Sequence, residues 1–475
     1  MLSTKSLSNY NIRKTIEPLH SILAARDERF LLRKQEAFKG SPALSLSLNV
    51  PGYPKSNRLV NTFFRCCLTS LKYHLKSCQI ILNDIKSVEL TDEAGDFFIA
   101  PCSSALHSLS DIKQICEEFE EKFPLGRFID VDLTDPEGNP VSSGKSKLCF
   151  FCNQRPAIEC RRENTHGVSE LRTFMFSRIE KFCRKQRENE ISRLLSSMAL
   201  KAILYEICLA PKPGLVDKFS NGSHADMNFQ TFIDSSVTIS AYFADLVREG
   251  FTFHDKDISK ALPVIRNIGI RMEAAMFAST RQVNTQKGII FLMGLSLFAC
   301  GLLFAGQDGF DTEEFREIIK TICKDLTHRE LENHDPSEKS HGIKVFDIYR
   351  VPGARGEAES GFPMVFDFGL PALLNCQELN DEGMLKAFLS IAAHNDDTNI
   401  LYRANPVILK KFKSLSFSTF NNFNAANLAS LNEYCIKENI SPGGSADLLA
   451  LSIFIYSLVK QVDKQGLLSP IQANL

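Results

Sequence analysis

Hydrophobic and polar positions change rhythm part-way along the chain, and the change predicts two kinds of structure. Up to about Thr165 the pattern is mixed. Leu44-Ser45-Leu46-Ser47-Leu48-Asn49-Val50 alternates with period two, Phe97-Phe98-Ile99-Ala100 is a short apolar run, and Phe128-Ile129-Asp130-Val131-Asp132-Leu133 alternates again, so all three read as strands. Ile112 to Phe123 has helical apolar spacing, which makes this part α/β or α+β, a mixed sheet with helices. From about Leu171 the texture turns to long segments of helical spacing broken by Pro-Gly and Gly-rich turns, predicting an all-α multihelical region. Ser177 to Arg193, dense in Arg, Lys and Glu, reads as a junction helix, and the boundary is placed near residue 183, giving domains 1–183 and 184–475.

Length agrees with a multidomain chain, since 475 residues exceed the roughly 250–300 at which single cores stop growing. Gly288 to Gln307 carries no charge and is long enough to span a bilayer. Its internal Gly294, Ser296, Cys300 and Gly301, and the Gly306-Gln307-Asp308-Gly309 turn after it, favour a helix buried on all faces, so no membrane partner is expected. The polar, Ser-rich start, Met1 to His20, lacks an apolar signal segment and reads as a frayed tail. With Lys+Arg 55 against Asp+Glu 56, no global field steers the chain to nucleic acid, and polyanions must be held by local groups. Fourteen scattered cysteines suit a reducing compartment, hence a cytoplasmic location.

Candidate chemistry in the first part begins with Asp130 and Asp132, two residues apart on a strand and so on one face. Such a pair suits Mg²⁺ held against a triphosphate, with Arg127 assisting, although the wet face of a half-buried strand gives the same pattern. Arg26, Arg29, Arg33 and Gln35 recur at helical spacing, as a phosphate-facing stripe or a solvated face. Asn49-Val50-Pro51-Gly52-Tyr53-Pro54-Lys55 closes a strand with a rigid turn that presents Asn49 and Lys55, or is only a strand exit. Cys149, Cys152, Cys160 and His166 have spacing that could close around Zn²⁺; buried reduced cysteines beside a core histidine look identical, and zinc is not the favoured reading.

Arg26 to Gln35, Leu48 to Lys55, Gly126 to Asp132 and Cys149 to His166, in this order, resemble the apo-citrate lyase phosphoribosyl-dephospho-CoA transferase family over roughly residues 20–180. The resemblance implies a nucleotidyltransferase-like fold. It also implies that the prosthetic group is attached to a serine of the citrate lyase acyl carrier (gamma) subunit with release of pyrophosphate. Val141 to Lys147 departs from the family, being shorter and lacking its usual arginines.

The helical part carries five polar clusters where helix ends are expected: Lys212 to Asp217 leading to His224 and Asp226; Asn284-Thr285-Gln286-Lys287; Gly353 to Ala358 with Arg355 and Glu357; Asp396-Asp397-Thr398-Asn399 with Arg403; and Ser441-Pro442-Gly443-Gly444-Ser445-Ala446-Asp447. Each alone reads as a cap or turn, but together they hold the acids and bases needed to place Mg²⁺ on a triphosphate and stabilise a sugar cation. From about 195 to 458 this pattern resembles triphosphoribosyl-dephospho-CoA synthase. The resemblance implies ATP and 3'-dephospho-CoA as substrates, adenine as the leaving group, and an oxocarbenium-like transition state. By motif position it implies Lys212, Lys287 and Arg355 on phosphates, Asp217, Asp226 and Asp397 on metal or as base, and His224 as acid. Asn284, Thr285, Glu357, Asn399, Arg403, Ser441, Gly443, Gly444 and Asp447 complete the substrate-binding set. The chain departs from that family at Gln282, Gln286, Asp396 and Ala404, and Gln286 cannot titrate as the family's usual histidine can. Alternatives are a zinc-stabilised nucleic-acid-binding module and a helical N-glycosidic hydrolase.

Overall fold

The computed structural model describes residues 5–34, 40–255, 257–333 and 340–465, and side chains from residue 19 to residue 461 within them. Contacts divide the chain into two units, Met1–Gln186 and Arg187–Leu468, with the division inside the helix Val168–Cys208. The stretch read as a frayed tail is helical in its backbone from Lys5, as part of the helix Lys5–Arg33.

The first unit is a small sheet with helices. Its strands are β1 (Ala43–Leu48), β2 (Ile81–Leu82), β3 (Val88–Asp92), β4 (Gly95–Ser103) and β5 (Ile129–Thr134), in the order β2-β4-β1-β5 with β3 also on β4. Every pairing is antiparallel, which corrects the mixed sheet expected from the sequence. The tight Glu93-Ala94 reversal makes β3 and β4 a hairpin, and helical returns bring β4 and β5 against β1 from either side in the opposite sense. Period two sorts the faces. Leu44, Leu46, Phe98, Ala100, Ile129, Val131 and Leu133 meet the apolar stripes of helices Arg58–Ser77 and Leu109–Lys122. On the other face Ala43, Phe97 and Ile99 form a smaller cluster under Leu32.

The second unit is helical, and its core is built on Lys287–Gly306, apolar on every side and buried along most of its length. Helix Phe243–Phe251 crosses it at two glycines: a β-carbon on Gly250 would fall 2.0 Å from the Phe298 carbonyl oxygen, and one on Gly301 would fall 2.2 Å from that of Val247. Backbone therefore seats directly on backbone. Helices Leu262–Ser279, Thr312–Ile322 and Gly443–Gln465 pack around the same axis. Among the described residues two stretches, Lys287–Gly306 and Gly443–Gln461, are long and apolar enough to cross a membrane, but 78% and 67% of their most apolar windows are buried.

Candidate active sites

In the first unit Asp130 and Asp132 alternate with buried neighbours and share the sheet face opposite the main core. In register they meet Ser47 and Ser45 of β1. Lys147 Nζ donates to Asp130 Oδ1 at 2.8 Å and reaches Glu120 Oε2 at 2.7 Å, while Arg33 Nη2 lies 3.7 Å from Asp132 Oδ2. Partial burial and then the Asp130 charge hold the Asp132 carboxyl above its ordinary range, against the pull of Arg33, Lys113 and Lys147. Arg127 is exposed on the turn Gly126–Phe128 that feeds β5.

Beyond the end of β1, Lys55 Nζ donates to the Val50 carbonyl at 2.6 Å. Burial first, and then the charges of Arg26, Arg161 and Arg172, pull this ammonium down to about 8. Arg172 is held by the carbonyls of Pro51 and Pro54 at 2.8 and 3.0 Å. Four cations thus crowd one region, an arrangement that favours a polyanion. Arg29 stands apart from this group. It is buried, binds Asp92 through Nε and Nη2 at 2.8 and 2.6 Å, and donates to the Gly95 carbonyl, so its donors serve the fold. Asn49 is exposed with its amide 3.4 Å from the Ile129 carbonyl, and Gln35 lies outside the described residues.

In the helical unit four of the five polar clusters line one cavity of about 300 Å³. The Asp217 carboxylate accepts the backbone N–H groups of Lys212, Phe219 and Ser220 at 3.1, 2.8 and 3.0 Å. That turn sets Lys212 Nζ 2.5 Å from Glu206 Oε1, both buried in the cavity wall. Asp397 accepts from the N–H and Oγ of Ser445 at 2.8 and 2.9 Å and caps the helix Thr398–Arg403 through the Asn399 N–H. Asp217 and Asp397 therefore hold the loops and do not themselves line the cavity. Asp226 is exposed at its edge.

Asp447 is recessed in the cavity and accepts no hydrogen bond among the described residues. Burial, then the charges of Glu206 and Asp397, raise its carboxyl well above the ordinary range. His224 is fixed from both sides. Arg403 Nη2 donates to its Nδ1 at 3.1 Å, so the proton sits on Nε2, 2.8 Å from Ser441 Oγ. Burial, then the Arg403 charge, lower its pKa against the pull of Asp226. Lys287 pairs with Glu273 at 2.9 Å, and its N–H is capped by Asn284.

Two family models match this chain: "Apo-citrate lyase phosphoribosyl-dephospho-CoA transferase" over residues 17–182, and "ATP:dephospho-CoA triphosphoribosyl transferase" over residues 192–465. A Leuconostoc mesenteroides protein called CitXG is 32% identical over 93% of this chain and 97% of its own length. The chain belongs to the CitXG family. A Haemophilus influenzae CitXG is 30% identical over 92% of this chain and 96% of its own length. A Haemophilus ducreyi 2-(5''-triphosphoribosyl)-3'-dephosphocoenzyme-A synthase is 34% identical over 63% of this chain and 97% of its own length. The chain is accordingly a bifunctional transferase of citrate lyase prosthetic-group biosynthesis, and the nucleic-acid and hydrolase alternatives find no support.

As a CitXG-family chain it shows where its site expectations fall. Lys212, Asn284, Thr285, Lys287, Asn399, Arg403, Ser441 and Gly443 join His224, Asp226 and Asp447 around the cavity, while Gly444 packs on Asp397. The fifth cluster goes elsewhere. Glu357 lines a separate depression of about 490 Å³ with Arg350, His394 and Asp396, and Arg355 Nε donates to Glu330 at 2.9 Å. Glu206, His341 and Tyr402, absent from the sequence-based set, also line the main cavity; the last two stack at 3.7 Å between ring centroids. Tyr402 lies between Asn399 and Arg403 of the fourth cluster, and Glu206 and His341 stand at helix ends, so only their positions left a signal.

The family departures are accommodated locally. Gln286 is buried, accepting from Ser235 Oγ at 2.5 Å and donating to Ser236 Oγ at 3.0 Å. Asp396 pairs with Lys413 at 2.6 Å, and Asn405, following Ala404, caps the helix Pro406–Asn421. In the shortened segment of the first unit, Lys147 supplies the cation beside Asp130.

Proposed function

We propose that the helical unit joins ATP to 3'-dephospho-CoA and that the first unit passes the product to the acyl carrier subunit of citrate lyase. In the first step the bond from the ribose anomeric carbon of ATP to adenine breaks, and a bond to the ribose hydroxyl of dephospho-CoA forms. The hydroxyl proton is balanced by one delivered to adenine. In the second step a carrier serine attacks the phosphorus nearest the ribose and pyrophosphate leaves. The location proposed is the cytoplasm, in keeping with fourteen free cysteines.

The observation that carries the first step is the recessed, unpartnered Asp447 carboxyl in a cavity shared by four polar clusters. Burial holds it above the ordinary carboxyl range, and its place in the cavity makes it the donor to departing adenine. His224 is the less suitable acid, because its free lone pair already meets Arg403, and we give it the task of orienting Ser441 and Arg403. Glu206 offers negative charge beneath a developing sugar cation, with Lys212 holding it in place. Lys287 and Arg403 at the rim receive the triphosphate, and the stacked His341 and Tyr402 rings offer a flat surface to a purine. Asp217 and Asp397 act by positioning the loops. Arg355 and Glu357 support this region from the neighbouring depression.

Magnesium fits both units by donor chemistry, since the cavity carries acids in excess of its buried cation and β5 carries two mutually repelling carboxylates. Asp226 would hold it in the helical unit, and Asp130 with Asp132 in the first. When bound it would neutralise triphosphate charge. Arg26, Lys55 and Arg127 are proposed to grip phosphates of the transferred group, Asn49 to meet its ribose, and Arg29 to hold the first helix. This use of Asp130 and Asp132 is the basis for a nucleotidyltransferase-like reading of the first unit.

Chromatography of the chain incubated with ATP, Mg²⁺ and 3'-dephospho-CoA tests the first step. Adenine and a triphosphoribosyl adduct are expected, with Asp447→Asn slower by roughly 10²–10⁴-fold. Absence of adenine from the unmodified protein overturns the reading. Intact mass of the apo carrier subunit, mixed with preformed adduct, tests the second step by its gain of the prosthetic group.

A further inference from the structure

The segment Cys149 to His166 has little regular structure. It contains one short helix, Ala157–Arg162, and a single isolated bridge, Leu148 to Pro156. Cys149 and Cys160 are buried, and the Phe150 and Phe151 rings pack on Phe128 and Phe174. A tight turn nonetheless folds it back on itself: Asn153, at φ 54°, donates its N–H to the Cys149 carbonyl at 2.9 Å, and Cys149 N–H meets the Arg155 carbonyl at 2.7 Å. A second reversal, with Asn164 at φ 51° and Thr165 N–H on the Cys160 carbonyl, returns His166 to the same place.

The result is convergence. One ligand atom from each of Cys149, Cys152, Cys160 and His166 lies within 4.8 Å of all the others. Cys152 Sγ and Cys160 Sγ are 3.8 Å apart, far beyond a disulfide. Around a tetrahedral zinc with Zn–S near 2.3 Å, neighbouring sulfurs stand about 3.8 Å apart. Two further observations separate this from a packed group of core thiols. Cys152 is not a core residue: it is part-exposed, beside the left-handed turn at Asn153. The His166 ring also keeps Nε2 buried with no hydrogen-bond partner among the described residues, a polar atom that a metal ion would satisfy.

We propose that Cys149, Cys152, Cys160 and His166 bind one structural Zn²⁺ in the first unit. Four protein ligands close the coordination shell, so the ion organises the segment and takes no part in chemistry. Three thiolates and an imidazole leave one net negative charge on the centre, and Arg161 and Arg162 flank Cys160 to balance it. Because Arg161 also belongs to the cation group around Lys55, the ion fixes one wall of that group.

The test uses the full chain purified without chelator. Elemental analysis is expected to give close to one zinc per chain, and exchange into Co²⁺ to give the intense sulfur-to-metal charge-transfer absorption of a thiolate-rich tetrahedral site. Cys160→Ser should lose both signals. His166→Cys, which keeps four ligands and guards against misreading an unfolded variant, should retain the metal with a shifted cobalt spectrum. A chain that holds no zinc and shows no such cobalt band overturns the proposal, as does a Cys152–Cys160 disulfide found by mass in freshly purified protein.

Discussion

Asp447 lies so close to Gly288, near the start of the central helix, that a β-carbon on the glycine would fall 1.9 Å from Asp447 Oδ2. The helix N-terminus and the cavity carboxyl are thus fitted to each other. Gly288→Ala is expected to displace Asp447, destabilise the protein by about 1–3 kcal/mol and suppress adenine release. Gly294→Ala in the same helix, whose added carbon would meet nothing nearer than 3.8 Å, should leave both nearly unchanged. Thermal unfolding with adenine assay distinguishes them; equal behaviour of the two variants would refute the fit.

Arg26 and Arg29, three residues apart, should behave differently. Removing Arg29 strands Asp92 and leaves the Gly95 carbonyl short of a donor, so Arg29→Ala should cost about 2–4 kcal/mol in denaturant unfolding. Arg26→Ala touches an exposed side chain and should leave stability intact while weakening pyrophosphate binding to the protein.

These two arginines also show what the sequence could and could not tell. Helical spacing placed both on one helix, but which one meets Asp92 depends on a hairpin more than sixty residues away, and no local pattern carries that. Strands β1, β4 and β5 were legible because alternation or an apolar run marks them, whereas β3 alternates with only two apolar residues, Val88 and Leu90, too few to stand out. Loop motifs located the helical cavity. They did not say which acids face inward, since Asp217 and Asp447 look alike as letters yet one is consumed by backbone N–H groups and the other is free of them.

Lys55 should report anion binding through a proton. Its ammonium, lowered to about 8 by burial and by neighbouring arginines, is about half neutral at pH 8, and a bound polyanion raises its proton affinity. Pyrophosphate binding at pH 8 should therefore take up as much as about half a proton. Calorimetry in buffers of different ionisation enthalpy measures the uptake, and Lys55→Met should abolish it.

Glu357 should make stability depend on pH. Burial, then the Asp367 charge, raise its carboxyl from the ordinary 4.5 to about 7 in the folded chain, against the pull of the Met364 N–H. The folded state binds the extra proton, so this contribution is complete below about 4.5 and is lost as pH climbs to about 7. Glu357→Gln should raise stability near pH 7.5 by up to about 2 kcal/mol relative to its effect at pH 4.5. Melting curves across this interval check the slope; an unchanged slope in the variant would count against it.

The crossing of Gly250 and Gly301 limits how the helical unit can respond to its substrates. With carbonyl oxygens resting where side chains would otherwise cushion the joint, neither helix can slip or roll without a hard collision. The central rod therefore acts as a fixed anvil. Adjustment to two bulky nucleotides must come from the loops hung around its end, whose turns are tied by Asp217 and Asp397.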